Sequence, residues 1–455
     1  MTNIDLNINN IKGSTISVIG IGRSGMAIAK LARHLGADVF ISDKYSSNGC
    51  RSNLEYLQSI GVTGEIGGHT SKIYESDMVV ISPGVAADSD VVMESQQREI
   101  KVIGEVEFGS LFTDSPIIAI TGSNGKSTTV NILAEMCQTD EINSVLAGNV
   151  GYAFSEKVLD ELQNPDQNRV YILEVSSFQL EFIDTFHPFI SIFLNISPDH
   201  LDRHKNYENY LSAKLRLAEN QTENDYIIYN ADDPVLEEKL SGLKSNILTF
   251  GSKHNNANLF SVENSKIINK EYATLMKLEK VGLPGRHNLY NLLAAASGAH
   301  CLGVSDQKIA EVIQTFKGIP HRLESIAIKN GIEFINDSKA TNIDAVKVAI
   351  ESYTKPIVLI LGGLAKGNDF PELLNYKENI KEIIAYGSAM HTISQELSTT
   401  FNVTKVEALK DAVSTAYNLA VEGDIVLLSP GCASFDQFTN FEDRGLKFAT
   451  WVREL

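Results

Sequence analysis

The sequence predicts an α/β chain of three domains, each built on a parallel sheet. The chain's 455 residues suffice for about three domains with an ample core. Three segments each open near an apolar strand and a glycine-rich turn, the rhythm of strand-helix units. The first runs from Ser14-Thr-Ile-Ser-Val-Ile-Gly through the turn Gly22 to Gly25 and a helical stretch Met26 to Leu35 into a strand, Asp38 to Ser42. The second follows the turn-rich linker Phe112-Thr-Asp-Ser-Pro. It opens with Pro116-Ile-Ile-Ala-Ile-Thr-Gly and holds the strands Val170 to Val175 and Phe189 to Leu194. The third begins near Gly318 and carries the strands Pro356 to Leu361, Glu382 to Ala385 and Asp424 to Leu428, with a helix over Ala408 to Val421. These shifts place the domains at 1–113, 114–319 and 320–455. The Asn- and Lys-rich stretch from 250 to 281 reads as a peripheral hairpin region.

Composition narrows the function. With 57 acidic and 39 basic side chains the net charge is −18, which repels phosphate backbones at long range, so nucleic-acid and anionic-membrane binding are not expected. A local basic pocket for one phosphate ester stays compatible with that balance. Apolar runs such as Ile357 to Leu361 are far too short to cross a bilayer, and the first residues carry Asp and Asn where a signal peptide would be basic and then apolar. Cys50, Cys137, Cys301 and Cys432 are scattered and form no CxxC pair, so reduced thiols in a cytoplasmic protein are expected, not a zinc site or disulfide framework.

Gly122-Ser123-Asn124-Gly125-Lys126-Ser127-Thr128 lies directly between an apolar strand and a helical run. Its chemistry is that of a phosphate cradle. Glycines let backbone N–H groups face phosphate oxygens, the helix start adds a positive dipole end, Lys126 can reach the terminal phosphates, and the Ser127 hydroxyl can hold Mg²⁺. ATP is the natural ligand, and GTP fits the same pattern. Gly20-Ile-Gly-Arg-Ser-Gly25, with Asp43 after the next strand, looks like a dinucleotide fingerprint. Alone it fits NAD(P), FAD, another nucleotide or a purely structural turn.

Further polar residues gather at strand ends. Glu174 ends an apolar strand where doubly wound sheets meet their ligands, so it can bind Mg²⁺ or orient water, or simply reach solvent. Asp199, His200, Asp202 and His204 crowd after the next strand; His200 is a candidate metal ligand, although neutral imidazole is an unusual partner for Mg²⁺. On a helical wheel over Tyr207 to Asn220, Lys214 falls in the middle of the apolar stripe and Arg216 opposite. An inward amine needs a partner or a lowered pKa, and a neutral amine near metal can capture CO₂ as a carbamate; snorkelling or a plain ion pair is the alternative. Asn288 and Asn291 either contact a base or ribose or cap the following helix. In the third segment, Asp337 to Asn342, Gly362 to Gly367 and Ser429 to Asp436 each follow a strand, and together can form a pocket for a small carboxylate ligand; singly each is an ordinary loop.

Taken in order, TGSNGKST, Glu174-Val-Ser-Ser-Phe-Gln-Leu-Glu181, Asn195 to Arg203, Tyr210-Leu-Ser-Ala-Lys-Leu-Arg, Gly285-Arg-His-Asn, Pro320-His-Arg-Leu-Glu, Asn336 to Asn342 and Ser429 to Phe441 resemble the Mur ligases essentially end to end. The resemblance implies a Rossmann-like first domain for a UDP-linked substrate, a central P-loop ATPase-type domain, and a Rossmann-like third domain that binds an amino acid and closes over ATP. It implies an acid–amino-acid ligase of peptidoglycan precursor synthesis in the cytoplasm. The Ser-Ser-Phe-Gln-Leu-Glu and Cys-Ala-Ser-Phe-Asp-Gln-Phe signatures resemble the member that joins D-glutamate to UDP-MurNAc-L-Ala. Separately, a monomer is expected. By the same resemblance Ser127 and Glu174 hold one Mg²⁺, and His200 with carbamylated Lys214 a second. Asn288, Asn291, Arg322 and Asp337 match ATP contacts, and Thr341, Lys366, Ser434 and Phe441 match the D-glutamate pocket. Arg23, Ser24, Asp43 and Lys44 fall near the uracil, with Ser82, Gly84 and Asn149 along the nucleotide-sugar path.

Folylpolyglutamate synthase resembles the same superfamily, but its loop has Gly-Lys-Gly-Ser where this chain has Gly125-Lys-Ser-Thr, and it lacks a UDP-binding first domain. A nucleotide-dependent oxidoreductase built on Gly20 to Gly25, or a non-catalytic nucleotide switch, would be told apart by nicotinamide binding and by ATP hydrolysis indifferent to amino acids.

Overall fold

The computed structural model describes residues 11–252, 258–271, 273–283, 285–365 and 370–455. Three sheets follow one another along the chain. The first contains β1 (Thr15–Ile19), β2 (Asp38–Asp43), β3 (Thr63–Ile66), β4 (Met78–Ile81) and β5 (Lys101–Gly104), all parallel, in the order β3-β2-β1-β4-β5. The reversal of strand order beside β1 opens a crevice at the carboxyl edge, where the Gly20 to Gly25 turn lies.

The second sheet contains β6 (Ile117–Thr121), β7 (Asn143–Gly148), β8 (Arg169–Glu174), β9 (Ile190–Phe193), β10 (Tyr226–Asn230), β11 (Asn246–Gly251), β12 (Asn258–Glu263), β13 (Lys266–Asn269) and β14 (Thr274–Lys277). Its order is β14-β13-β12-β11-β10-β9-β6-β8-β7. The strands from β7 to β12 are parallel to their neighbours, and only β13 and β14 turn antiparallel at the edge, which is the peripheral hairpin the sequence predicted for this stretch. β6 lies between β8 and β9 and is buried throughout, because helices cover both faces of a parallel sheet.

The apolar cores of these two sheets are continuous: Val18 and Ile41 belong to the same buried cluster as Phe108, Phe154 and Tyr171. Two buried carboxylates add to the junction. Glu107 accepts from the backbone N–H groups of Asp184, Thr185 and Phe186 and from the Thr185 hydroxyl at 2.7–2.9 Å, and Glu105 accepts from Ser155 N at 2.6 Å. Burial pushes the Glu105 pKa upward. The chain divides into two compact units between Phe316 and Lys317.

The second unit holds β15 (Glu324–Lys329), β16 (Ile332–Asn336), β17 (Ile357–Gly362), β18 (Ile380–Tyr386), β19 (Val403–Val406) and β20 (Ile425–Leu428), ordered β15-β16-β20-β17-β18-β19. Only β15 is antiparallel to its neighbour. Its core lies on both sheet faces, around Leu359 and Ile383 on one and Val358 and Ile384 on the other. Among the described residues no helix is long and apolar enough to cross a membrane.

Candidate active site

The glycine-rich loop Gly122 to Gly125 leaves the carboxyl end of β6 and enters the helix Lys126–Cys137. Gly125 has φ +90°, and a Cβ there would stand 2.2 Å from Asn291 Oδ1, so neither the backbone nor the neighbouring helix Arg286–Cys301 leaves room for a side chain. No side chain caps the helix, which leaves its positive end for an anion. The loop's shape is held from one side. Asn195 Oδ1 accepts from Asn124 N at 2.9 Å, its Nδ2 donates to Asn124 O at 3.0 Å, and its backbone oxygen accepts from Ser123 N at 2.9 Å. The Ser123 hydroxyl turns away from the loop's mouth to Ser197 O at 2.9 Å and the Tyr210 hydroxyl at 2.7 Å. Ser127 is buried, while Thr128 is half-buried.

Two amines meet on one carbonyl behind this loop. Lys126 Nζ donates to Gly122 O at 2.7 Å and Ser123 O at 2.8 Å, and Lys214 Nζ donates to the same Gly122 O at 2.8 Å. Lys214 is 2% exposed, on the inward face of the helix Tyr207–Leu215, as the wheel required. Burial, then the Lys126 charge, holds its pKa well below the ordinary lysine value. The helix is shorter than the sequence suggested, passing into a 3₁₀ turn at Arg216–Ala218. Arg216 does not simply face solvent: its guanidinium donates to the carbonyls of Leu180, Glu181 and Ile183 at 2.6–2.9 Å and so ties this turn to the segment after Ser176.

Glu174 ends β8 beside β6 and is 2% exposed. Its Oε1 accepts from Asn149 Nδ2 at 2.8 Å, whereas Oε2 is buried without a hydrogen-bond partner. A buried carboxylate oxygen with nothing to pair is costly, and a cation is the natural complement. His200 follows β9, with φ +51°, its side chain half exposed, and its ring 5.0 Å from that of Phe178. Among the described residues no three His, Cys, Asp or Glu side chains converge into a preformed cage. Asn291 Oδ1 accepts from Thr129 Oγ1 at 3.3 Å and Asn288 Oδ1 from Asn291 Nδ2 at 3.4 Å. The helix that carries them starts at Gly285 with no side-chain cap, so neither asparagine serves as the cap.

In the first domain, Asp43 Oδ2 accepts from Ile21 N at 2.7 Å and Oδ1 from Tyr45 N at 2.8 Å, so this carboxylate shapes the Gly20 to Gly25 turn. Arg23 extends toward the central domain, donating to Gly151 O at 2.6 Å and Asn149 O at 3.4 Å. Ser24 is half-buried and Lys44 exposed, and the Ser82 hydroxyl donates to Gly20 O at 3.5 Å with Gly84 two residues on.

In the second unit, Asp337 accepts from the Ser429 hydroxyl at 2.8 Å and Leu323 N at 3.3 Å, and burial raises its pKa to about 7. Arg322 is near enough to offset part of that rise. Thr341 is half-buried, Ser434 is buried, and Phe441 opens the helix Phe441–Glu454, its carbonyl accepting from the Ser338 hydroxyl at 2.8 Å. Lys366 lies outside the described residues.

Three family descriptions match the chain: the MurD N-terminal domain over residues 15–91, the Mur ligase middle domain over 120–299, and the Mur ligase glutamate ligase domain over 321–432. A UDP-N-acetylmuramoylalanine–D-glutamate ligase from Thermoanaerobacter pseudethanolicus is 40% identical, with 98% of this chain and 99% of that protein covered. The enzyme of the same name from Christiangramia forsetii is also 40% identical, over 97% of this chain and 100% of its own length. The chain belongs to the Mur ligase family. Solved Mur ligases share its fold: the UDP-N-acetylmuramate–alanine ligase MurC of Thermotoga maritima has a TM-score of 0.55 at 19% identity, covering 97% of this chain and 99% of that one. MurF of the same organism, solved in complex with ADP, has a TM-score of 0.55 at 16% identity, covering 99% and 97%.

Within this Mur ligase, Asn195, Tyr210 and Arg203 were not singled out from the sequence. Asn195 and Tyr210 brace the glycine-rich loop, and Arg203 ties the His200 segment to the first domain. Asn195 sits at a strand end, the signal that drew attention to Glu174. The Tyr210 hydroxyl, on the apolar stripe of the Lys214 helix, needed a buried partner that the wheel does not name.

Proposed function

We propose that this chain joins D-glutamate to UDP-N-acetylmuramoyl-L-alanine at the cost of one ATP, in the cytoplasmic assembly of peptidoglycan precursors, as a monomer. The choice of substrates rests on the full-length likeness to D-glutamate ligases. The observation that carries the chemistry is the carboxyl edge of the central sheet, where an anion-ready helix start, two lysines on one carbonyl and an unpaired Glu174 oxygen lie together.

A carboxylate is a poor electrophile because its leaving group would be oxide. Phosphorylation gives an acyl phosphate that an amine can displace, with inorganic phosphate leaving. In our reading residues 1–113 hold the UDP-sugar, 114–319 the ATP and 320–455 the amino acid. Backbone N–H groups from Gly122 to Thr128 cradle the phosphates. Lys126 leaves its carbonyl partners to meet the terminal phosphate, stabilising charge as the substrate carboxylate attacks. Ser127, Glu174, His200 and Lys214 would hold Mg²⁺, which supplies charge neutralisation between the two anions when bound. Lys214 takes part as its carbamate: the neutral amine adds CO₂ and releases one proton, turning an awkward buried cation into an anionic ligand. Asn288, Asn291, Arg322 and Asp337 orient ATP, and Arg23, Ser24, Asp43, Lys44, Ser82, Gly84 and Asn149 line the UDP-sugar path. Thr341, Lys366, Ser434 and Phe441 receive D-glutamate.

The test is ADP release in the presence of UDP-MurNAc-L-Ala with D-glutamate, L-glutamate, meso-diaminopimelate or L-lysine in turn. Release stimulated by D-glutamate alone is expected. Release indifferent to D-glutamate would remove the assignment.

A further inference from the structure

Arg203 lies in the short helix Leu201–His204, three residues after His200, and reaches across to the first domain. Its Nη1 donates to Pro83 O and its Nη2 to Val85 O, both at 3.0 Å, gripping the loop that leaves β4 at the carboxyl edge of the first sheet. The same Nη2 meets Glu181 Oε2 at 3.2 Å, and the guanidinium lies 4.0 Å from the centre of the Phe178 ring. Phe178 is also the surface against which the His200 ring leans, and it stacks on His204 at 5.3 Å. His204 closes the cluster: Nε2 meets the Ser177 hydroxyl at 2.9 Å and Nδ1 lies 3.3 Å from Glu181 Oε1. The backbone oxygen of His200 accepts from both Arg203 N at 3.1 Å and His204 N at 3.0 Å, so any shift of Arg203 is felt directly at His200.

This arrangement is specific to a planar fork. Two carbonyls on one domain, one carboxylate on the other and an aromatic face are met together by a guanidinium. An ammonium on a flexible stem can satisfy the carboxylate but not both carbonyls and the ring. The contacts are largely withdrawn from water, with the side chains of Arg203 and Glu181 each 18% exposed, so the bridge is screened less than a surface pair.

We propose that Arg203 is a positioning residue that holds the Pro83–Val85 loop of the first domain in register with His200, and thereby aligns the UDP-sugar's carboxylate with the phosphate-transfer site. The inference rests on the proposed function, which places the UDP-sugar along Ser82 and Gly84 and gives His200 a role at the reacting groups. Arg203 itself touches neither.

The experiment compares Arg203→Lys and Glu181→Gln with the unaltered chain, measuring kcat and the KM for each of the three substrates, with melting temperature as a control on folding. Arg203→Lys should raise the KM for UDP-MurNAc-L-Ala about tenfold and lower kcat several-fold, while the KM values for ATP and D-glutamate stay within about twofold. Glu181→Gln keeps both carbonyl contacts available to Arg203, so its KM for the UDP-sugar should stay near that of the unaltered chain. Equal KM values for Arg203→Lys and the unaltered chain, or a parallel loss for all three substrates, would overturn the bridge and reduce Arg203 to packing. A rise in Glu181→Gln as large as in Arg203→Lys would overturn it too. If the unaltered chain shows no ADP release dependent on the UDP-sugar, the functional reading falls first and takes this inference with it.

Discussion

The two glycine-rich turns of the first unit share a place in their sheets and differ in their surroundings. Both follow a central strand of a parallel sheet, and both lead into a helix whose start no side chain caps. At Gly20 to Gly25 the acidic residue of the fingerprint hydrogen-bonds its own turn, and the one cation in the turn, Arg23, reaches carbonyls of the neighbouring domain. At Gly122 to Gly125 the turn is braced by Asn195 and Tyr210, carries Lys126 at the helix start, and is backed by a buried lysine and a buried carboxylate with an unpaired oxygen. A glycine turn therefore provides only an anion-ready backbone. On the proposed reading, the side chains around it decide between holding a ligand and transferring phosphate.

The largest break in that comparison comes from Lys126→Ala, which should lower kcat/KM for ATP by about 10³ or more, because no other mobile cation at the turn can follow the transferring charge. Steady-state ADP release checks it. Lys214→Ala should cost about 10² in kcat and be partly restored by added short-chain carboxylates, which stand in for the carbamate. Full activity without rescue would remove the modified lysine from the account. Because burial and Lys126 depress the Lys214 pKa, the neutral amine gains on the cation as pH rises through that lowered value. At a fixed concentration of dissolved CO₂, activation of CO₂-depleted enzyme should therefore speed up as pH rises through that lowered value and level off above it. Arg23→Ala sharpens the contrast from the other side: the KM for the UDP-sugar should rise about tenfold with ATP parameters unchanged. Equal damage to ATP use would show that the turns are not functionally separate.

At Asp337, which the proposed reading sets against ATP, the change that isolates its burial is in stability. Its native pKa of about 7 lies above the ordinary 3.8, so the folded state binds the proton more tightly than the unfolded chain. Between those values stability falls as pH rises, and above about pH 7 the buried charge costs up to about 4 kcal/mol. Asp337→Asn removes that penalty, so its melting temperature relative to the unaltered chain should climb between about pH 4 and pH 7 and level off above that. A difference that is flat with pH would contradict the raised pKa.

Much of this was legible locally. Apolar runs in the sequence mark β1, β2, β6, β8, β9, β17, β18 and β20, and the 3.6-residue period turns Lys214 inward without any knowledge of its partners. The resemblance, not the periodicity, supplied most of the ligand contacts. What stayed hidden depends on residues far apart in sequence. Arg203 meets carbonyls about 120 positions away, and Glu107 meets amides nearly 80 positions away. Arg216 sits on the polar side of its wheel yet binds carbonyls of Leu180 to Ile183, because a wheel reports direction from one helix axis and not what stands beside it. Asp43 matched a ligand-binding fingerprint, but its carboxylate bonds Ile21 and Tyr45 N–H groups that a motif does not count.

The central claim is that the carboxyl edge of the central sheet converts the UDP-sugar's carboxylate into an acyl phosphate before D-glutamate attacks. Turnover of UDP-MurNAc-L-Ala carrying heavy oxygen in its terminal carboxylate, followed by mass analysis of the released inorganic phosphate, tests it most directly. One labelled oxygen per phosphate is the predicted result; unlabelled phosphate, with the label retained in product, would contradict it.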